Sequence, residues 1–180
     1  MTKTFPVTLV LAAALTALAA CQPAGQTGTS GQAPATPVRS AADIKFINTA
    51  GVLRLEEVTF ARLAETKATD QAVRQAAKTM VADLAAVDQQ LAALAPSDGT
   101  APAPAMDGRH EGLYQQLQSL TGSAFDRQYI NDDLQDLTMA IQAYQAEADT
   151  GSDPQLRAFA QQQLPTMLQE LQTAGSIGGL

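Results

Sequence analysis

Cysteine and histidine each occur once in this 180-residue chain, and tryptophan does not occur at all. One cysteine excludes a disulfide framework within the chain and any cysteine-cluster metal site. One histidine excludes a multi-histidine metal site and leaves little material for histidine-based catalysis. Basic residues are also scarce: 11 Lys and Arg stand against 18 Asp and Glu, a net charge of -7. That balance argues against nucleic-acid binding, which needs concentrated positive charge. No nucleophile elbow, phosphate-binding loop, dinucleotide fingerprint or zincin motif is present. No alternating run of β-branched residues reads as a strand. What the chain does have is apolar material, 46% of it, enough for one core in one domain.

The beginning of the chain reads as a targeting segment. Lys3 gives it a positive start, and Val7 to Ala20 form an uncharged apolar run. That run is shorter than the roughly 20 residues of a membrane-spanning helix and fits a signal peptide over 1–20. It ends in Leu18-Ala19-Ala20-Cys21, which resembles a bacterial lipobox with the only thiol of the chain as the acyl acceptor. Ala17-Leu18-Ala19 also offers a cleavage site for ordinary secretion, but the position of the lone cysteine favours lipidation at Cys21. Gln22 follows, not an inner-membrane-retaining Asp, so the expectation is an outer-membrane lipoprotein facing the periplasm. Residues 21–40 then form a lipidated cysteine and a tether. The Pro, Gly, Ser, Thr and Gln of this stretch bury too little to offset the entropy of ordering.

From Ser40 onward the pattern is helical. Caps and stops predict helices over 41–68, 70–95, 109–119, 124–149 and 154–173. Ser40, Thr69 or Asp70, Ser123 and Asp153 are the N-caps, and Gly175 is the final stop. Residues 41–175 are thus the bundle and 176–180 a tail. Apolar seams recur at spacings of three and four: Val73, Ala77, Met80, Leu84, Val87, Leu91 and Leu94 in the second helix, for example. Four long helices with such seams give an all-α, ferritin-like four-helix bundle with one short extra helix. Pro165 lies inside the last helix and predicts a kink.

One seam carries an acid. In the first helix Glu57 follows Phe46, Ala50 and Leu53 at helical spacing. A buried carboxylate needs a partner, and the expectation is that Glu57 sits at the seam edge and reaches an arginine such as Arg74 or Arg127, or water. Glu57, Asp133, Asp136 and Glu170 are the candidate oxygen ligands for a hard cation, although no metal or other cofactor is expected. His110, beside Arg109 and Glu111, reads as a solvated side chain. The acids Asp132, Asp133 and Asp136 are expected to face Lys45, Arg54, Arg62, Lys67, Arg74 and Lys78 as ion pairs or as a solvated face.

Leu55-Glu56-Glu57-Val58, Met80-Val81-Ala82-Asp83, Phe125-Asp126-Arg127-Gln128-Tyr129 and Leu164-Pro165 together resemble the bacterial domain-of-unknown-function 4142 family. Its members are often labelled predicted outer-membrane proteins. The resemblance covers about residues 43–174 and implies a ferritin-like bundle in the cell envelope, with no settled activity. The family pattern carries histidines where this chain has Leu84, Leu137 and Glu170, so the resemblance implies a degenerate member. The combined expectation is a non-enzymatic envelope lipoprotein with an interaction or maintenance role. It would be held at the membrane through Cys21, with an envelope protein as partner. A ferritin-like metal-binding protein or oxidoreductase and a carrier of an apolar small ligand are the alternatives.

Overall fold

Residues 39–95 and 105–179 are described by the structure, a computed structural model. Cys21, the expected signal peptide, most of the expected tether and residues 96–104, between the second and third helices, lie outside them. The described residues form α1 (Ala41–Lys67), α2 (Gln71–Leu94), α3 (Gly108–Ser119), α4 (Gly122–Thr150) and α5 (Pro154–Gly178), with no strand among them.

Local chemistry sets most of the helix ends. Ser40 opens α1 with a capping box: its hydroxyl accepts from the Asp43 amide at 3.2 Å, and Asp43 accepts from the Ser40 amide at 2.6 Å. Asp70 caps α2 by accepting from the amides of Ala72 and Val73. Asp153 caps α5, with Pro154 in the first turn where its missing N–H costs nothing.

Two ends depart from the sequence reading. Helix α4 starts at Gly122, not after a Ser123 cap, because Gly122 adopts a φ of +60° and turns the chain directly into the helix. Helix α5 runs through Gly175 and takes in part of the expected tail. The left-handed C-terminal position is filled by Gly179, with a φ of +78°, so Gly175 remains helical. Pro165 is accommodated inside the continuous α5.

Helices α1, α2, α5 and α4 surround the core in that order, with α2 and α5 the loosest neighbours. The short α3 packs lightly on α1 and α4. The predicted seams are the buried faces: Val73, Ala77, Met80, Leu84 and Leu91 on α2, and Leu156, Ala160, Met167 and Ala174 on α5. Each fully buried large aliphatic or aromatic side chain contributes about 1.5–3 kcal/mol. The buried apolar residues fall into two groups. One is built on an aromatic trio, Phe46, Tyr144 and Phe159, with Phe46 meeting Tyr144 edge-on at 5.0 Å. The other gathers Phe60, Val73, Met80, Leu84, Leu117 and Phe125. Along α1 the first group ends at Leu53 and the second begins at Phe60. Buried Arg54, Glu56 and Glu57 fill the interval.

Candidate functional site

Glu57 and Glu56 are neighbours on α1, about 100° apart around the helix, and they meet different company. Glu57 faces its own helix's Arg54, whose Nη1 lies 3.3 Å from Oε2. Arg54 also donates to the Leu84 carbonyl at 3.1 Å and reaches Asp88 at 3.4 Å. The expected partners Arg74 and Arg127 are therefore replaced by a residue one turn away. Arg74 instead donates to the Ala68 and Thr69 carbonyls at the end of α1. Burial pushes the Glu57 carboxyl up to about 7, with Arg54 opposing and the charges of Glu170 and Asp136 adding. Asp133 and Glu170, both half-buried, are also raised, chiefly by burial. The charges of Glu57 and Glu170 add to the shift at Asp133. Asp133 and Glu170 line a groove of about 480 Å³ between α2 and α5, walled largely by apolar groups such as Ala76, Met80, Ile130 and Ile177.

The other candidate acid, Asp136, belongs elsewhere. Its Oδ1 accepts from both terminal nitrogens of Arg109 at 3.1 Å and lies 3.4 Å from His110 Nε2. His110 is not solvated: only 3% of it is exposed. It enters the bundle because Asp107 starts α3. The Asp107 Oδ1 accepts the His110 amide at 3.0 Å and lies 2.8 Å from Nδ1 of the same residue. Phe60 lies 6.4 Å from the imidazole, and Phe60 also stacks on Tyr114, which fixes α3 against α1. Arg109 Nη1 sits 2.6 Å from Nε2. A donor there makes Nε2 the acceptor and leaves the ring proton on Nδ1, facing Asp107.

Glu56 completes this cluster. It is wholly buried, and its Oε1 lies 2.5 Å from His110 Nδ1. That approach is not aligned as a hydrogen bond, since the Nδ1 proton serves Asp107, and among the described residues neither Glu56 oxygen has a well-formed hydrogen bond. Burial pushes the Glu56 carboxyl up to about 8, with the charges of Asp107 and Asp136 adding and the Asp107 amide and the Arg109 charge opposing. Asp107 moves the other way, held low mainly by the His110 amide. Asp132 gives Oδ1 to Gln128 at 2.9 Å and leaves a buried Oδ2 bare. Burial, then the charge of Asp136, raises its carboxyl. Among the described residues, Glu56, Asp107 and His110 are the set whose ligand-type atoms all lie within 4.8 Å of one another. Two carboxylates and an imidazole are a donor set for a borderline divalent cation.

The acid-to-base pairing expected from the sequence is thus corrected. Asp136 meets Arg109 and His110 of α3 and Asp132 accepts from Gln128 of its own helix, rather than either meeting the basic residues of α1 and α2. Lys67 instead donates to the Leu117 and Gln118 carbonyls and closes the end of α3. The local signal for the cluster was Asp107 three residues before His110 at a helix start, which places both on one face. Its third member, Glu56, comes from another helix, and no local pattern announces it.

The profile of the domain of unknown function DUF4142 matches residues 27–177, and the chain belongs to that family. No curated protein matches the sequence. The fold is similar to a DUF305 fragment from Deinococcus radiodurans, with a TM-score of 0.69 at 18% identity over 80% of this chain and 100% of that one. It is also similar to CopM in its Cu(II)-bound form, with a TM-score of 0.63 at 16% identity over 76% of this chain and 95% of that one. At those identities the likeness is one of fold. Leu84 and Leu137, where the family resemblance expects histidine, are 2% and 1% exposed and belong to the packed interior.

Proposed function

We propose that this protein is a non-enzymatic lipoprotein of the cell envelope. A helical bundle would be held through acylated Cys21 at the outer membrane, face the periplasm and act by interaction with another envelope component. The observation that carries this reading is the single cysteine directly after Leu18-Ala19-Ala20 at the end of an uncharged apolar run. Supporting it, no helix among the described residues is long and apolar enough to cross a membrane. Two or three acyl chains on Cys21 would then supply the attachment, at about 0.8 kcal/mol per buried methylene. The decisive experiment is fractionation of cells expressing the chain with and without Cys21→Ser. Wild type is expected in the membrane fraction, and the variant in the soluble fraction with unchanged helicity. A variant that stays with the membranes like wild type overturns the reading.

A second reading, carriage of a small apolar ligand, is supported by the groove between α2 and α5. Its test is a fluorescent apolar probe: carriage requires binding that Ala76→Trp abolishes, and equal binding by the variant removes it. The alternative of a metal-binding bundle rests on a different place in the molecule.

A further inference from the structure

We propose that Glu56, Asp107 and His110 bind one first-row divalent cation, for which Zn(II) is the reference ion, and that Asp136 is the outer carboxylate that orients the imidazole. Three observations carry the proposal. The first is the donor set: two carboxylates and an imidazole from α1 and the start of α3, with their ligand atoms within 4.8 Å of one another. The second is the bare state of Glu56. Among the described residues neither oxygen of this wholly buried carboxyl group has a well-formed hydrogen bond, and the Asp107 amide offsets only part of the burial; a cation answers that cost directly. The third is the back of the ring, where Asp136 lies 3.4 Å from Nε2 and is itself held by Arg109. Carboxylate, imidazole and metal in that order is how ligating histidines are oriented.

The rearrangement required is small. Donor atoms around Zn(II) at about 2.0–2.2 Å lie roughly 3–3.5 Å apart. The present separations are 2.5 Å from Glu56 to His110 and 2.8 Å from Asp107 to His110. Side-chain rotation provides that much opening. The ring proton then sits on Nε2 and is donated to Asp136, while Nδ1 turns its lone pair to the ion. Arg109 withdraws from Nε2 to make room, which its 42% exposed side chain allows. Access is open as well: the Asp107 side chain is 53% exposed, so the ion and its remaining water ligands enter beside it. Glu56 and Asp107 together supply two negative charges against the two positive charges of the ion. Arg109 and Asp136 cancel each other behind the ring.

This site does not depend on the lipid anchor, and its test is carried out without one. The full chain carrying Cys21→Ser, purified in mild detergent and stripped with a chelator, is dialysed against Zn(II). One equivalent is expected to bind and to raise the melting temperature. Glu56→Gln and His110→Gln, each in the same background, should weaken binding about tenfold or more. Glu57→Gln and Asp133→Asn should leave it unchanged. Co(II) in place of Zn(II) should give visible absorption bands that His110→Gln removes. If His110→Gln fails to fold, Glu56→Gln decides. Its ion-free form should melt at or above the temperature of the parent chain, yet gain nothing from Zn(II). Absence of Zn(II) binding, or binding unaffected by Glu56→Gln, overturns the proposal.

Discussion

Asp43 and Glu56 are both wholly buried carboxyl groups on α1, yet the fold treats them in opposite ways. Asp43 accepts from the Ser40 amide at 2.6 Å, the Ser152 amide at 2.8 Å and the Asp153 amide at 3.4 Å. Burial alone would raise its carboxyl, but those amides outweigh burial and hold it below the ordinary range. It ties the start of α1 to the turn between α4 and α5. Around it, Arg39 pairs with Asp153 at 2.9 Å and Gly151 leaves room for the Glu147 carboxyl. A Cβ at Gly151 would lie 2.1 Å from Glu147 Oε1. Glu56 is just as deep, but among the described residues only the Asp107 amide acts on it, too weakly aligned to count as a hydrogen bond and too weak to offset burial. Equal depth with unequal satisfaction separates a structural knot from a place that awaits a ligand.

The contrast can be broken first at its stronger member. Asp43→Ala deletes the acceptor for three amides at once and is expected to cost about 3 kcal/mol or more. A urea melt measures it, and a cost below about 1 kcal/mol would mean that the knot is not structural. Next comes pH. Glu57 and Glu147 titrate near 7 in the fold, against an ordinary value of 4.5. Burial is the leading cause for both, and the nearby Asp43 charge adds to the shift at Glu147. The folded chain therefore holds more protons than the unfolded chain between those values, so stability falls as pH rises. The contribution is intact below about 4.5 and is lost as pH passes 7. The melting temperature of ion-free protein should decline from about pH 5 to pH 8, and a rise over that interval would contradict these assignments. The smallest effect belongs to Glu56→Gln, which removes a buried ionisable group without a well-formed hydrogen bond among the described residues. Ion-free stability at pH 8 should stay level or rise by about 1 kcal/mol. A loss as large as that of Asp43→Ala would show that Glu56 holds the fold together.

Much of the fold is legible in the sequence because its determinants are local. Ser40, Asp70 and Asp153 cap helices through amides two or three residues away. The stripe of α2 from Val73 to Leu91 is the face that is buried. The ends missed are those where glycine conformation decides, at Gly122 and Gly179. The site was legible only in part. Periodicity places Glu57 on a seam, but a 3.6-residue period says nothing about what meets the neighbouring Glu56. His110 looks polar in sequence because Arg109 and Glu111 flank it. Its burial depends on Asp107 starting α3 and on α3 settling over Phe60, both set by packing between helices distant in sequence. Asp126 is a further case. It accepts the amides of Thr69 and Asp70 at 3.0 Å and so fastens α4 to the turn between α1 and α2, a contact no helical pattern encodes.

The central claim, that the unsatisfied Glu56 cluster is where this bundle grips an ion, is tested most directly by diffraction from crystals soaked in Zn(II). Data collected on either side of the zinc absorption edge would locate the ion. The account predicts one anomalous peak bounded by Glu56, Asp107 and His110, with the Nε2 side of the ring turned to Asp136. No peak there, or a peak held instead by Glu57, Asp133 and Glu170, would contradict it.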